Sequence, residues 1–443
     1  MKRSKLFWAL VIVTALYFVV REGAQLAIHA GWLDIGMAAS SAEAGNEANA
    51  WFGRDLRVVV GAANRLVERR DMYPIDKWMA TFDEYNYSPF YALFISQIST
   101  RLPFNVHATL HALVSLAAYA ALFFTWRRLF PLLGMSQASQ VIVGILPLWF
   151  LYTAWWGDAI LLNIYILLAL TVSWLFYFIW KERLWPSALL LILILQVKPQ
   201  WAFPLALPLV LGRFRFFAKL VALVVGGYLL VAMVTVLWLG TDYGLAQYYA
   251  YYRMLAIAPN KIPWHGPGEY IGYDHSIAQI YFYLFGYTDA AWPIVRLIKV
   301  LIIAPLAVLA IRLIRRNQET QPGPALEAYF ALYFASFVWL DLVWETTLSI
   351  VVFVYLMAVL KDRWARWLAA VTFVGYTLAD LWQVIGIPLA SVVVGEAELL
   401  KHGPPLWADP SFRIPLIMMV ILTFYGLLIW RLWAESARQT ANI

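Results

Sequence analysis

Cysteine is absent from the 443 residues, which excludes disulfides, thiol nucleophiles and cysteine metal sites. Charge is scarce as well. Asp, Glu, Lys and Arg make up 13% of the chain, about half of the ~25% with which a soluble domain covers its surface. Soluble and disordered classes are therefore excluded. His-Glu-x-x-His and Asp-x-Asp do not occur, and no carboxylates cluster at metal-ligand spacing. An internal repeat is also missing. What the chain does have is apolar mass: 63% hydrophobic residues, 17% aromatic residues and a mean hydropathy of +0.69. Uncharged runs near the ~20 residues of a membrane span recur along it. In such a protein a net charge of +7 speaks to topology rather than to nucleic acid.

The first apolar run, Leu6 to Val20, follows Lys2, Arg3 and Lys5. No small-residue cleavage site follows it, so it reads as an uncleaved first helix rather than a signal peptide. Further runs centre on residues 113–124, 141–152, 161–178, 184–195, 203–211, 221–239, 294–311, 329–340, 348–360, 368–382 and 414–432. The expected fold is an all-α polytopic membrane protein of about twelve segments, one integral-membrane domain over 1–443. The pieces flanking Lys198-Pro199 are short for a ~30 Å hydrocarbon core.

Lys and Arg set orientation. A cytoplasmic N-terminus places Arg127-Arg128, Lys181/Arg183, Arg213/Arg215/Lys219, Arg312/Arg315/Arg316, Lys361/Arg363/Arg366 and Arg431/Arg438 inside. The acids on that side are Glu182, Glu319, Glu327, Asp362 and Glu435. The remaining acids, and all the histidines, fall outside or at outer span ends. The expectation is an inner (plasma) membrane protein with both termini in the cytoplasm. Its inner connections are short and basic. The outer ones are long, chiefly 21–106 and 240–292, and long loops carry function. Chemistry at that face must draw on a donor that arrives in the membrane.

Within the first outer loop, residues 51–67 read as an amphipathic helix with a stripe of Leu56, Val59, Val60, Ala63 and Val67. Asp55 lies at its start, where the positive helix end favours a carboxylate. A cap, or a partner for Arg54 or Arg57, is the plain reading of that residue; the functional one is a general base beside the membrane. Tyr73-Pro74 is expected to close the helix. Asn86-Tyr87-Ser88 matches a glycosylation triplet but is followed by Pro89.

The order of these features resembles glycosyltransferase family 87 of the GT-C membrane glycosyltransferases. The matching positions are Asp55-Leu56, Tyr73 and Tyr87-Ser88-Pro89, then Gly157-Asp158, Lys198-Pro199 and the Asp274–Gln279 segment. The chain departs from the pattern at Val59, where the family has a tyrosine close behind the aspartate. It departs at Asp158, where the family has glutamine. At Trp344-Glu345-Thr346-Thr347 the family often has Trp-Asp-His-His. The resemblance implies transfer of a hexose, mannose in characterised members, from a polyprenyl phosphate to a glycolipid or glycan acceptor. It implies inversion and no metal or other cofactor, because the phosphate already leaves readily. Membrane lipids, the donor and the acceptor are the expected partners, with no nucleic acid.

An acceptor hydroxyl needs a base within reach, and Asp55 is the candidate. The lipid phosphate needs cations. Lys198 ends a membrane segment, Arg296 and Lys299 stand three apart on one helix face, and Arg253 ends a tyrosine-rich run. A charge at membrane depth costs ~3 kcal/mol, so it faces a cavity or snorkels. Further substrate-binding candidates are His275, Tyr73, Tyr87, Asp158 and Glu345; Asp341 and Glu345 stand four apart. The alternatives are a lipid or glycolipid transporter, for which the break at Lys198-Pro199 is the best argument, and a non-catalytic assembly partner.

Overall fold

The computed structural model describes residues 4–33, 52–74, 85–257, 264, 266–267, 274–315, 321–343, 346–395 and 414–441. All regular structure among them is helical. In chain order the α-helices begin with α1 (Lys5–His29), α2 (Arg54–Val67), α3 (Pro89–Ser99), α4 (Phe104–Leu132), α5 (Ser136–Gly144), α6 (Leu146–Phe150), α7 (Thr153–Leu161), α8 (Tyr165–Trp180) and α9 (Leu184–Val197). A 3-10 segment, Pro199–Ala206, leads into α10 (Leu207–Val210). Then come α11 (Phe214–Leu239), α12 (Thr241–Ile257), α13 (Ile277–Phe285), α14 (Trp292–Arg315), α15 (Pro322–Trp339), α16 (Ser349–Val359), α17 (Arg363–Val394) and α18 (Ile414–Ala441).

Among the described residues, six helical stretches are long and apolar enough to cross a membrane: α1, α4, α11, Asp289–Ile314, Arg363–Gly386 and Leu416–Ala434. The pair α5 and α6–α7, bent by 61°, makes a seventh. Helices α8, α9 and α16 are apolar but shorter. The twelve apolar runs are thus not twelve helices of crossing length, and proline is one reason. Pro199, Pro204 and Pro208 lack the amide hydrogen an α-helix needs and crowd the preceding turn. The chain after Lys198 accordingly winds as an eight-residue 3-10 helix before α10, long for that conformation.

The core is a continuous aromatic–aliphatic mass. The rings of Tyr119 and Trp155 stack at 4.5 Å, and Phe353 and Phe373 at 4.3 Å. Lipid tails are as apolar as leucine, so packing and polar contacts must hold the helices together. Two buried ion pairs do so. Arg21 of α1 pairs with Asp380 of α17 and lies over Trp156 of α7. Helix α1 therefore does not stop near Arg21. It runs on to His29, with Glu22, Gln25 and His29 all buried. Elsewhere Glu327 of α15, fully buried, accepts from Tyr355 of α16 at 2.6 Å and from Arg431 of α18 at 2.5 Å.

Helix α2 shows how the sequence places the site. Its buried face is Leu56, Val59, Ala62, Ala63 and Leu66. Val67, expected in the stripe, is exposed, because packing against Tyr91, Ala92 and Ile95 of α3 selects Leu66 instead. Pro74 does not end the helix. Arg69 adopts a left-handed conformation (φ 59°), and the Arg70 amide donates to the Arg65 carbonyl at 2.8 Å, closing a Schellman turn. At the other end Gly53 is left-handed too (φ 71°), its amide bonded to the Ile160 carbonyl at 2.8 Å. A β-carbon there would meet Leu162 at 3.3 Å, so glycine lets α2 start directly against α7.

Removing one partner of a buried charge pair strands the other. Glu327→Ala should lower stability by ~3 kcal/mol, read as an earlier thermal midpoint in detergent. Glu327→Gln, which keeps an acceptor for Tyr355 and Arg431, should lose less.

Candidate active site

Asp55 and Lys198 lie within electrostatic reach of each other, Asp55 in the first turn of α2 and Lys198 just past the end of α9. Asp55 sits in the first turn of α2 but does not cap it. The N-cap is Gly53, which has no side chain to accept the helix amides. The Asp55 carboxylate instead accepts from Asn163 Nδ2. Asn163 follows Leu162, whose left-handed conformation (φ 53°) ends α7 and turns the chain back. Burial pushes the Asp55 carboxyl up from its ordinary range, against the opposing pull of the Lys198 and Arg54 charges and the Asn163 hydrogen bond. A carboxylate raised toward the working pH is suited to taking a proton.

Lys198 is buried. Its ammonium lies 4.4 Å from the centre of the Tyr87 ring and 5.3 Å from that of Tyr165, and donates to Asn86 Oδ1 at 3.2 Å. Two aromatic faces around a desolvated cation are worth on the order of 2 kcal/mol. The Asn86-Tyr87-Ser88 triplet is thereby taken up internally. Ser88, fully buried, caps α3 and donates to the Gln196 carbonyl at 2.5 Å, which ties the strand-like approach of α3 to the end of α9.

Tyr73 and Tyr87 form part of the same wall. The Tyr73 hydroxyl donates to the Tyr87 carbonyl at 2.7 Å, and Tyr85 donates to the Ser88 carbonyl at 2.8 Å. Tyr73 also packs on Tyr251 of α12 at 5.8 Å. Burial holds the phenols of Tyr73, Tyr85 and Tyr87 well above their usual range, so they remain neutral. Beside Tyr165 lies a narrow, partly open crevice with room for little more than a water, walled by Trp201, Phe203, Tyr333, Phe337 and Leu342.

Asp158 stays near the site: it is buried, its charge reaches Lys198, and its carboxylate receives the amides of Tyr165 (3.1 Å) and Ile166 (3.4 Å) at the start of α8. The other candidates separate. Arg296 and Lys299 do not present a common face. Arg296 is exposed, while Lys299 is buried and donates to the Trp339 and Leu340 carbonyls (2.9 and 3.0 Å) and to Asp341. The end of α15 has turned it inward, and it neutralises Asp341. Arg253 is exposed on α12. Glu345 and Trp344 lie outside the described residues. Among the described residues no three His, Asp or Glu side chains are placed to hold a metal.

His275 belongs to a separate turn. Its amide donates to the Val343 carbonyl at 2.8 Å, next to Leu342 on the far wall of the crevice. The neighbouring Asp274 is buried and accepts from Ser276 N (2.8 Å), Ser276 Oγ (2.9 Å) and Val343 N (3.0 Å). Burial raises its carboxyl to about 7 despite these donors and the Lys299 charge. Sequence reasoning passed over Asn163, Asn86 and Tyr165. Asn163 had one faint signal, a polar residue between two apolar helical runs.

The family model of glycosyltransferase family 87 matches residues 85–340, more than half of the chain. The protein belongs to glycosyltransferase family 87 and is a membrane glycosyltransferase of the GT-C kind, which sets aside the transporter and assembly-partner alternatives. The matched region contains Lys198, Asn163 and His275; Asp55 lies before it. No curated protein and no solved structure matches the chain.

Because the folded Asp274 carboxyl holds its proton up to about 7 and an unfolded one only to ~3.9, the native state binds the extra proton between those values. This contribution should stabilise the fold at acid pH and be lost as pH rises from ~4 to about 7. Melting wild type and Asp274→Asn in detergent across that window checks it; the decline assigned to Asp274 should be missing from the variant.

Proposed function

We propose that the protein transfers a hexose, most simply mannose, from a polyprenyl-phosphate sugar to a hydroxyl of a glycolipid or glycan acceptor, inverting the anomeric centre. In this reading Asp55 is the general base and Lys198 receives the donor phosphate. Asp55 Oδ takes the acceptor proton as the acceptor oxygen bonds to the anomeric carbon. The bond from that carbon to the phosphate oxygen breaks, and the electron pair leaves with polyprenyl phosphate. The charge gained by the phosphate faces the Lys198 ammonium. No metal or other cofactor is needed, because the phosphate is a competent leaving group.

The observation that carries this reading is a carboxylate and an ammonium, remote in sequence, brought within electrostatic reach of each other beside an aromatic wall. A base and a phosphate-binding cation side by side are what an inverting displacement requires. Tyr165 belongs both to the Lys198 surroundings and to the crevice, so a prenyl chain whose phosphate rests on Lys198 has an apolar wall beside it. Tyr73 and Tyr87 serve as sugar-facing or site-shaping rings, and His275 as a residue of the turn that holds Val343 beside the crevice.

The site opens to the extracytoplasmic side of the plasma membrane in this reading, with both termini cytoplasmic. Lysine and arginine excess supports that sidedness. So do contacts at the opposite end of the bundle, where Arg213 reaches the Trp180 carbonyl (2.8 Å) and Arg431 the Val359 carbonyl (3.1 Å).

The test uses protein reconstituted with a radiolabelled polyprenyl-phosphate sugar and a lipid acceptor. Asp55→Asn should lower transfer by ~10²-fold or more while donor binding stays near normal; wild-type turnover would remove Asp55 as the base. In equilibrium binding, Lys198→Ala should weaken the donor. An unchanged affinity would take the phosphate away from Lys198.

A further inference from the structure

Asn163 is held on every polar atom it has. Its backbone amide donates to the Asp158 carbonyl at 3.1 Å, and its backbone carbonyl accepts from His111 Nε2 of α4 at 3.1 Å. Its side-chain Oδ1 accepts from the Ile164 amide at 2.7 Å. With Oδ1 committed to a donor, Nδ2 is the atom left for Asp55, which accepts from it. The residue is buried. Since a carbonyl only accepts, His111 must carry its proton on Nε2. Asp158 in turn is pinned by the first amides of α8. An asparagine fixed in this way is a rigid donor aimed at one carboxylate oxygen.

Resting on the reading of Asp55 as the base, we propose that Asn163 is its positioning residue, with His111 holding Asn163 from behind. The pair sets which Asp55 oxygen faces the acceptor hydroxyl and keeps the carboxylate ionised at working pH. Geometry supports the first role. One Asp55 oxygen is occupied by Asn163, which leaves the other to receive the proton. The surroundings support the second. Burial favours the protonated acid, and the groups acting on Asp55 from neighbouring elements are Lys198 at the end of α9, Arg54 on α2 itself, and the neutral Tyr87 phenol before α3. Asn163 adds a hydrogen bond available only to an acceptor oxygen and so favours the ionised form. Asp158, expected from sequence to touch substrate, acts in this scheme by supporting Asn163.

The experiment is the pH profile of transfer, with donor affinity measured alongside. Asn163→Leu, close in volume but without a donor, should lower kcat roughly ten- to hundredfold. It should also move the acid limb of the profile to higher pH, with donor affinity kept. Asn163→Asp has the same shape and reverses the electrostatics. Two carboxylates facing each other cannot both ionise readily, so its acid limb should move further in the same direction. His111→Ala should shift the limb less, and His111→Gln, which retains an N–H, should restore it. A purely structural role would lower the yield of folded enzyme without moving the limb. If Asn163→Leu folds and both limb and kcat stay at wild type while Asp55→Asn is inactive, the positioning role is overturned and the base stands. If Asp55→Asn turns over normally, the base itself falls. Should Asn163→Leu not fold, the limb of Asn163→Asp or His111→Ala decides in its place.

Discussion

Placing a carboxylate and an ammonium out of water is costly unless each finds partners of good geometry, and the surroundings of Asp55 and Lys198 answer that constraint at several levels. Lys198 is met by two ring faces and an amide oxygen. Asp55 is met by an amide donor that the α7–α8 turn holds in place. The local backbone follows from the same need. Left-handed Gly53 brings α2 against α7, left-handed Leu162 turns Asn163 toward Asp55, and Pro199 stops α9 so that Lys198 directly follows its last residue, Val197.

The scaffold around the site is organised differently. Much of it is aromatic packing, which needs no partner beyond shape. Several charges that enter the bundle are paired across helices distant in sequence, as in Arg21 with Asp380 and Glu327 with Arg431. These pairs give the helix packing a register that apolar contacts alone leave open. Lys299 belongs with them, because its contacts to the end of α15 and to Asp341 are structural.

Much could be read before the structure, and its failures are instructive. The amphipathic character of residues 54–67 was legible because a 3.6-residue period needs no tertiary information. The choice of Leu66 over Val67 was not, since it depends on the α3 residues packed opposite. Spacing put Arg296 and Lys299 together, yet one faces outward and the other inward. Three residues along a helix still leave an angle wide enough for neighbours to divide them. Asp158 stands where the family pattern has glutamine; that its carboxylate receives the first amides of α8 while its charge reaches Lys198 follows from how α7 and α8 meet. Asn163 drew no attention, since a lone asparagine between apolar runs has no spacing signature.

By itself the sequence determined the medium and the class: an apolar, charge-poor, cysteine-free helical chain, and motifs sufficient for a glycosyltransferase of family 87. Composition and short motifs are local properties and survive without coordinates. Only the tertiary structure decided which ionisable groups meet. Asp55 and Lys198 are brought near each other by turns whose direction depends on left-handed residues and on helix ends. Those are set by packing between elements far apart in the chain, and no periodicity encodes them.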